Sequence, residues 1–216
     1  MASFAESSDD TSVLEAGFLV LGSATVGESG GRPMRARVRA MWHGLRLAAP
    51  AFPVQCTPGD NLAIHVAVAE APPGSALVVD VGGEEERGYW GEVLTTAAQV
   101  RGLRGLVIDG GVRDSAALES HQFPVFATTT ALPGASKTSP GTIGLPVTVG
   151  GVSVSAGDWV VGDSDGVTIV AAGEIHDVLA AARARADKEQ GLFTALRDGR
   201  TTIELLELNS SPVTGR

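Results

Sequence analysis

Ala76-Leu77-Val78-Val79-Asp80-Val81, Gly91-Glu92-Val93-Leu94-Thr95-Thr96-Ala97-Ala98-Gln99-Val100 and Gly105-Leu106-Val107-Ile108 decide the fold. The first and third are short apolar runs without polar alternation, the mark of strands buried on both faces. The second is a small-residue helix between them. A loop, Asp109–Asp114, leads to a short helix, Ser115–Ser120, and then to a third strand, Pro124–Ala127. Strand, helix, strand, helix, strand with connections of this length reads as a parallel sheet.

Outward from this unit the pattern changes. Upstream, Val13–Leu21 reads as an amphipathic helix stopped by the Gly/Ser run Gly27–Gly31. Ala36–Trp42 and Leu45–Cys56 read as extended, with Pro50 and Pro53 suited to an edge or a bend. Thr57-Pro58-Gly59-Asp60 is a turn opening a helix, Asn61–Glu70, which Pro72-Pro73-Gly74 closes. Downstream, residues 129–144 are a polar loop. Leu145–Val149, Val152–Val154, Trp159–Val161 and Val167–Val170 read as hairpin strands, a β meander. A long Ala-rich helix covers about Glu174–Leu196, with a further turn at Ile203–Leu208. No linker separates these parts, so residues 1–216 are expected to be one α/β domain, with helical segments at 1–35 and 174–208.

The 216 residues carry a net charge of −9, which disfavours direct nucleic-acid binding. Aromatic residues are 5%, so Val, Leu, Ile and Ala must supply most of the core. The single cysteine, Cys56, excludes a disulfide framework and reads as packing. No apolar stretch is long enough for a membrane span, and the acidic start MASFAESSDD lacks the basic region of a secretory signal. A cytoplasmic location is expected.

In open parallel sheets ligands gather beyond the carboxyl ends of the strands. Two loops lie there: one ends in Trp90-Gly91-Glu92-Val93-Leu94, and the other contains Val112-Arg113-Asp114. Gly91 opens a helix whose first amides suit an anion. Arg113 can grip a carboxylate bidentately. Asp114 can ligate a hard cation such as Mg²⁺, or simply cap the helix that follows. Glu92 can complement the helix dipole. Elsewhere the chemistry is bland. His43, His65, His121 and His176 form no metal motif and read as structural or surface residues. Lys137 and Lys188, the only lysines, lack the apolar surround of a Schiff-base lysine. There is no phosphate loop and no GxSxG elbow.

Gly91–Ala98, Gly102, Gly105–Gly110 and Val112-Arg113-Asp114 resemble the RraA-like family, which includes 4-hydroxy-4-methyl-2-oxoglutarate aldolases. Weaker agreement runs through Pro124–Ala127, Lys137, Leu145–Val147, Gly157-Asp158 and Asp163–Val167 to Lys188-Glu189. The resemblance implies a three-layer β/β/α swivelling-type domain assembled as a homotrimer or homohexamer. It implies Mg²⁺ or Mn²⁺ and a 2-oxo acid substrate, cleaved by a retro-aldol reaction to pyruvate, with oxaloacetate decarboxylation as a side activity. By position, Asp114 would ligate the metal and Arg113 would hold the substrate. The amides of Gly91, Glu92, Val93 and Leu94 would cradle its carboxylate. Glu92, and Glu189 from a neighbouring subunit, would hold water on the metal. The sequence departs from the family pattern at Val26–Ser29, at Thr128-Thr129 where Arg-Gly often follows Phe-Ala, and at Ala156 and Ala171 where proline is usual. These departures bear on the substrate's distal group. Other family members regulate ribonuclease activity by protein binding, which is the alternative function. A pure binding protein has no need of Glu92, Arg113, Asp114 and Glu189 together.

Overall fold

The computed structural model of the chain describes residues 8–215; Met1–Ser7, the start of the expected N-terminal helical segment, lie outside the described residues. In chain order the elements are α1 (Ser8–Gly27), β1 (Arg32–Pro33), β2 (Arg39–Ala40), β3 (Leu47–Gln55), α2 (Leu62–Glu70), β4 (Ala76–Asp80) and α3 (Glu92–Val100). There follow β5 (Gly105–Asp109), β6 (Gly111–Val112), α4 (Ser115–Ser120), β7 (Val125–Ala127), β8 (Thr129–Thr130) and β9 (Thr142–Ile143). The chain ends with β10 (Val147–Val149), β11 (Val152–Val154), β12 (Trp159–Asp163), β13 (Gly166–Val170), α5 (Ile175–Arg197) and α6 (Thr202–Leu205).

One curled mixed sheet carries the structure, in the order β1-β13-β12-β3-β4-β5-β7-β2, with β9 also on β3. β3, β4, β5 and β7 are parallel, as their uninterrupted apolar runs require. Their helices cover the outer face, where Leu77, Val79, Leu106 and Ile108 meet Ile64, Ala67, Leu94 and Leu118. The inner face holds a second core of Val78, Val107, Phe126, Val160 and Ile169, closed over by the ribbon β10–β11 through Val147, Val149, Val152 and Val154. Ribbon, sheet and helices are the three layers. The four C-terminal strands form two hairpins in different layers: β10–β11 makes the ribbon, and β12–β13 joins the sheet. α1 and α5 pair over the outer face of the antiparallel half, packing Leu14, Phe18, Val178 and Leu179 on Trp159 and Val161. Aromatic residues are few, but Trp90, Trp159, Tyr89, Phe18 and Phe126 are among the largest fully buried side chains.

Two expectations need correction. β3 is not an edge strand: its first half pairs antiparallel with β12 and its second half parallel with β4. Its prolines fall where no donor is needed. Pro50 has the parity that faces β4, but lies before that ladder opens at Ala51↔Ala76. Pro53 has the opposite parity and lies beyond the end of β12; there its carbonyl accepts Gly144 N–H at 2.8 Å. Second, Ala36–Trp42 is not one extended segment. Only Arg39–Ala40 pairs, with β7.

α1 is interrupted at Gly22 (φ 79°), a left-handed conformation that favours glycine. The helix restarts because Asp163, at the end of β12, accepts from Ser23 N at 2.7 Å and Ser23 Oγ at 2.6 Å.

Candidate active site

The loops after β4 and β5 meet at the carboxyl end of the parallel strands, and buried aromatic side chains hold them there. Tyr89 Oη donates to Glu84 O (2.7 Å) and accepts from Gly59 N (2.8 Å), while Asn61 Nδ2 donates to Tyr89 O (2.8 Å). Burial pushes the Tyr89 phenol above its ordinary value, keeping it a neutral donor. Trp90 stacks on Phe123 and donates to Thr95 Oγ1 at 2.7 Å. Arg113 N–H then donates to Trp90 O at 2.9 Å, which zips the second loop to the first.

This zipping sets Asp114 against the start of α3. Asp114 adopts a left-handed backbone (φ 57°) and stands before α4, but its side chain does not cap α4. Instead its Oδ2 accepts the Glu92 N–H at 3.1 Å, capping the neighbouring helix α3 from across the loop. Gly91 is required by this approach: a Cβ there would lie 2.4 Å from Asp114 Oδ2. Of the amides expected to cradle a carboxylate, that of Glu92 is therefore taken by Asp114. Those of Val93 and Leu94 donate to nothing among the described residues, and the ladder of α3 begins with Thr95 N–H to Gly91 O.

Arg113 lays its stem over Gly88, where a Cβ would meet Arg113 Cδ at 2.9 Å, and its Nη1 reaches the edge of Gly134. Its Nε lies 3.8 Å from Asp114 Oδ2, and both side chains are about half exposed, at 47% and 44%. The guanidinium makes no hydrogen bond among the described residues, so its donors face the opening. Glu92 points its carboxylate at His121, with Oε1 3.2 Å from Nε2. Arg87, on the first loop, donates to Gly134 O at 3.2 Å and pairs with Glu84.

The chain thus gathers Gly91, Glu92, Val93, Leu94, Arg113 and Asp114. Glu189 stands apart on α5, 3.0 Å from Arg185 of the same helix, which also pairs with Glu28. The residues that sequence reading missed are His121, Arg87 and the pair Gly88 and Gly134. A lone histidine gives no spacing signal, but a glycine-rich loop after a buried strand is one for close approach.

Other candidate nucleophiles are silent. Burial, with Asp60 and Asp80 nearby, pushes the Cys56 thiol up to about 12, so it is protonated. Lys137 donates to Ala135 O. Burial pushes buried Asp60 upward, but hydrogen bonds from Thr138, Leu62, Ser136 and Ser139 outweigh it and hold the carboxyl below the usual range. That residue ties the loop 136–139 to the start of α2.

No three His, Cys, Asp or Glu side chains converge into a metal cage among the described residues. Asp114 is a half-exposed carboxylate on an open shelf, with Glu92 beginning the adjacent helix. Such a donor set fits a hard cation that keeps most of its waters, the habit of Mg²⁺ and Mn²⁺. The shelf is open. Two clefts of about 470 Å³ lie instead at the amino ends of the parallel strands, one lined by Arg46, Arg104 and Phe123, the other by Phe52, Pro73 and Trp159. Among the described residues, no helix is long and apolar enough to cross a membrane.

The chain is similar to several known proteins. A relative from Halalkalibacterium halodurans, provisionally named a 4-hydroxy-4-methyl-2-oxoglutarate aldolase, is 36% identical over 153 residues, 71% of this chain and 73% of its own. The crystal structure of an uncharacterised protein from Pseudomonas syringae pv. tomato superposes with a TM-score of 0.82 at 23% identity, covering 93% of this chain and 94% of that one. That of Streptomyces coelicolor RraAS2, described as an unusual member of the RNase ES inhibitor RraA family, gives 0.74 at 26% identity, covering 88% and 98%. The family model described as RraA-like, Aldolase/RraA, matches residues 11–169, which include both site loops. The chain belongs to the RraA-like family.

Proposed function

We propose that this chain is a divalent-metal-dependent lyase, with Mg²⁺ or Mn²⁺, that cleaves 4-hydroxy-2-oxo acids to pyruvate by retro-aldol reaction and decarboxylates oxaloacetate as a side activity. One observation carries the reading: the Arg113 guanidinium, which makes no hydrogen bond among the described residues, and the Asp114 carboxylate lie side by side 3.8 Å apart, next to the amides of Val93 and Leu94, which have no acceptor among those residues. A regulator acting through its surface needs no such grouping.

In the reaction the bond between C3 and C4 breaks, the C4 hydroxyl loses its proton, and the electron pair is stored as the enolate of pyruvate. A cation, which Asp114 would hold, would supply Lewis acidity to stabilise this charge. Arg113 binds the substrate carboxylate and fixes its plane. The amides of Val93 and Leu94 add two donors at the positive end of α3. Glu92 takes the hydroxyl proton through a water that it holds. The same relay returns that proton to C3 of the enolate. For oxaloacetate the same enolate forms as CO₂ departs. Glu189 serves the site of a neighbouring copy, which fits an open shelf, in a cytoplasmic homotrimer or homohexamer.

The test is pyruvate release, read by coupled lactate dehydrogenase, from a panel of 4-hydroxy-2-oxo acids and oxaloacetate, with and without EDTA. Metal-dependent release from at least one is expected, and Asp114→Asn should lose both activity and the Mg²⁺-induced rise in Tm. Release from none would overturn the reading. The alternative, a non-catalytic regulator of a ribonuclease, draws on the likeness to RraAS2. It predicts a silent panel together with direct binding to a ribonuclease.

A further inference from the structure

His121 ends α4, and α4 begins directly after Asp114. One short helix thus holds Arg113 and Asp114 at its amino end and His121 at its carboxyl end. Glu92 is gripped from both ends of that helix. Its amide donates to Asp114 Oδ2, and its carboxylate lies 3.2 Å from His121 Nε2. His121 is itself clamped. Gln99, two turns along α3 from Glu92, donates through Nε2 to His121 O at 2.9 Å. That bond fixes the amide's orientation and turns Gln99 Oε1 to His121 Nδ1, 3.1 Å away. Both ring nitrogens therefore face oxygen acceptors. The next residue, Gln122, takes a left-handed backbone (φ 53°) and returns a hydrogen bond to Glu119 O, so the chain turns sharply just after His121.

A ring held on two sides is a poor surface ornament and a good fixture. A carboxylate has two oxygens with several lone-pair directions. A donor on Oε1 leaves Oε2 free to accept, and it restricts the rotamers of a side chain that is otherwise 55% exposed. We propose that His121 is the positioning residue of Glu92, clamped by Gln99, and that it aims the second carboxylate oxygen at a water beside Asp114. The inference rests on the reading of Asp114 as the cation ligand. It adds a residue to which that reading gives no task.

Outer partners of a metal site typically change affinity or activity by about 10–100-fold when lost. Mg²⁺ alone is therefore the probe, measured by calorimetry. His121→Leu should weaken Mg²⁺ binding about tenfold, whereas His121→Gln, which keeps a donor near the Nε2 position, should stay within about twofold. In a Glu92→Gln background, His121→Leu should add no further loss. Gln99→Leu, which leaves both site residues in place, should reproduce part of the effect. The second readout is NMR of the histidine rings: Glu92→Gln should move the His121 resonances and leave His43, His65 and His176 unchanged. Wild-type Mg²⁺ affinity in folded His121→Leu, or a loss that persists undiminished without Glu92, would overturn the proposal. So would His121 resonances indifferent to Glu92→Gln. Failure of wild-type protein to bind Mg²⁺ or Mn²⁺ would sink the metal reading, while the ring resonances would still decide whether the pair exists.

Discussion

Replacing Gly91 with alanine tests the junction of the two loops directly. The backbone at Gly91 is extended (φ −165°), a conformation any residue adopts, so the substitution brings no backbone strain. Its cost is steric: the new methyl carbon would lie 2.4 Å from Asp114 Oδ2 and 3.2 Å from Arg113 Cγ. To reach even about 3.0 Å the carboxylate must withdraw by about 0.6 Å, which stretches the 3.1 Å bond from Glu92 N–H past its useful range. A hydrogen bond to a charged acceptor contributes about 1.5–3 kcal/mol, and half-exposure puts this one near the lower figure. A loss of about 1.5 kcal/mol in a chain of this size lowers Tm by about 3–6 °C. Calorimetry or urea titration measures it. The decisive control is the double mutant. In an Asp114→Ala background the carboxylate is gone, so Gly91→Ala should cost at least about 1 kcal/mol less than it does alone. Strictly additive costs would show that Gly91 is not there to admit Asp114, and the account of the junction would be wrong.

Three further perturbations probe the rest of the site. Arg113→Lys keeps the charge but loses the planar fork, and should abolish or nearly abolish activity, with Tm moved by less than about 1 °C because the guanidinium's one ion pair among the described residues, 3.8 Å to Asp114, is half-exposed; near-normal kcat/KM on an active substrate would remove it as the clamp. Glu189→Gln and Arg113→Lys should each inactivate, and co-refolded mixed oligomers should recover part of the activity; no recovery in demonstrably mixed oligomers would contradict a site shared between copies. Asp60→Asn should destabilise the chain at neutral pH. The Asp60 carboxyl is lowered in the fold, so its contribution is complete above the unfolded pKa of about 4 and is lost as pH falls below that towards the folded value. The stability gap between the two proteins should therefore close in acid, and a gap constant from pH 7 to 2 would mean that the ionised form does not organise the 136–139 loop.

The parallel unit was legible in the sequence because both faces of β4 and β5 are covered, so Leu77–Val79 and Leu106–Ile108 read as unbroken apolar runs. The edges of that reading failed where a residue's meaning depends on a distant partner. Pro50 and Pro53 announce only that two donors are missing. Which neighbour would have needed those donors depends on β12 and β4, far away in the chain. The site was half legible for the same reason. Arg113-Asp114 and Gly91-Glu92 sit at strand ends, where chemistry is expected. The role of Asp114 was ambiguous between ligand and cap, and the structure shows a cap of α3 rather than of α4. His121 carries no signal at all, because the partner that gives it meaning, Glu92, belongs to another helix.

The sharing of β3 between two ladders bears on how the chain acquires its structure during synthesis. The parallel partner β4 follows closely, so half of the strand can pair as soon as Asp80 leaves the ribosome. The other half waits for β12, more than a hundred residues later. Until then Leu47, Ala49 and Ala51 present apolar surface with no cover from the second hairpin. Pairings this remote in sequence form slowly, and nascent strands exposed meanwhile are open to wrong partners. Pro53 then gains a second role. Its missing N–H lies on the side of the strand left open while it waits, which makes that edge a poorer template for another chain.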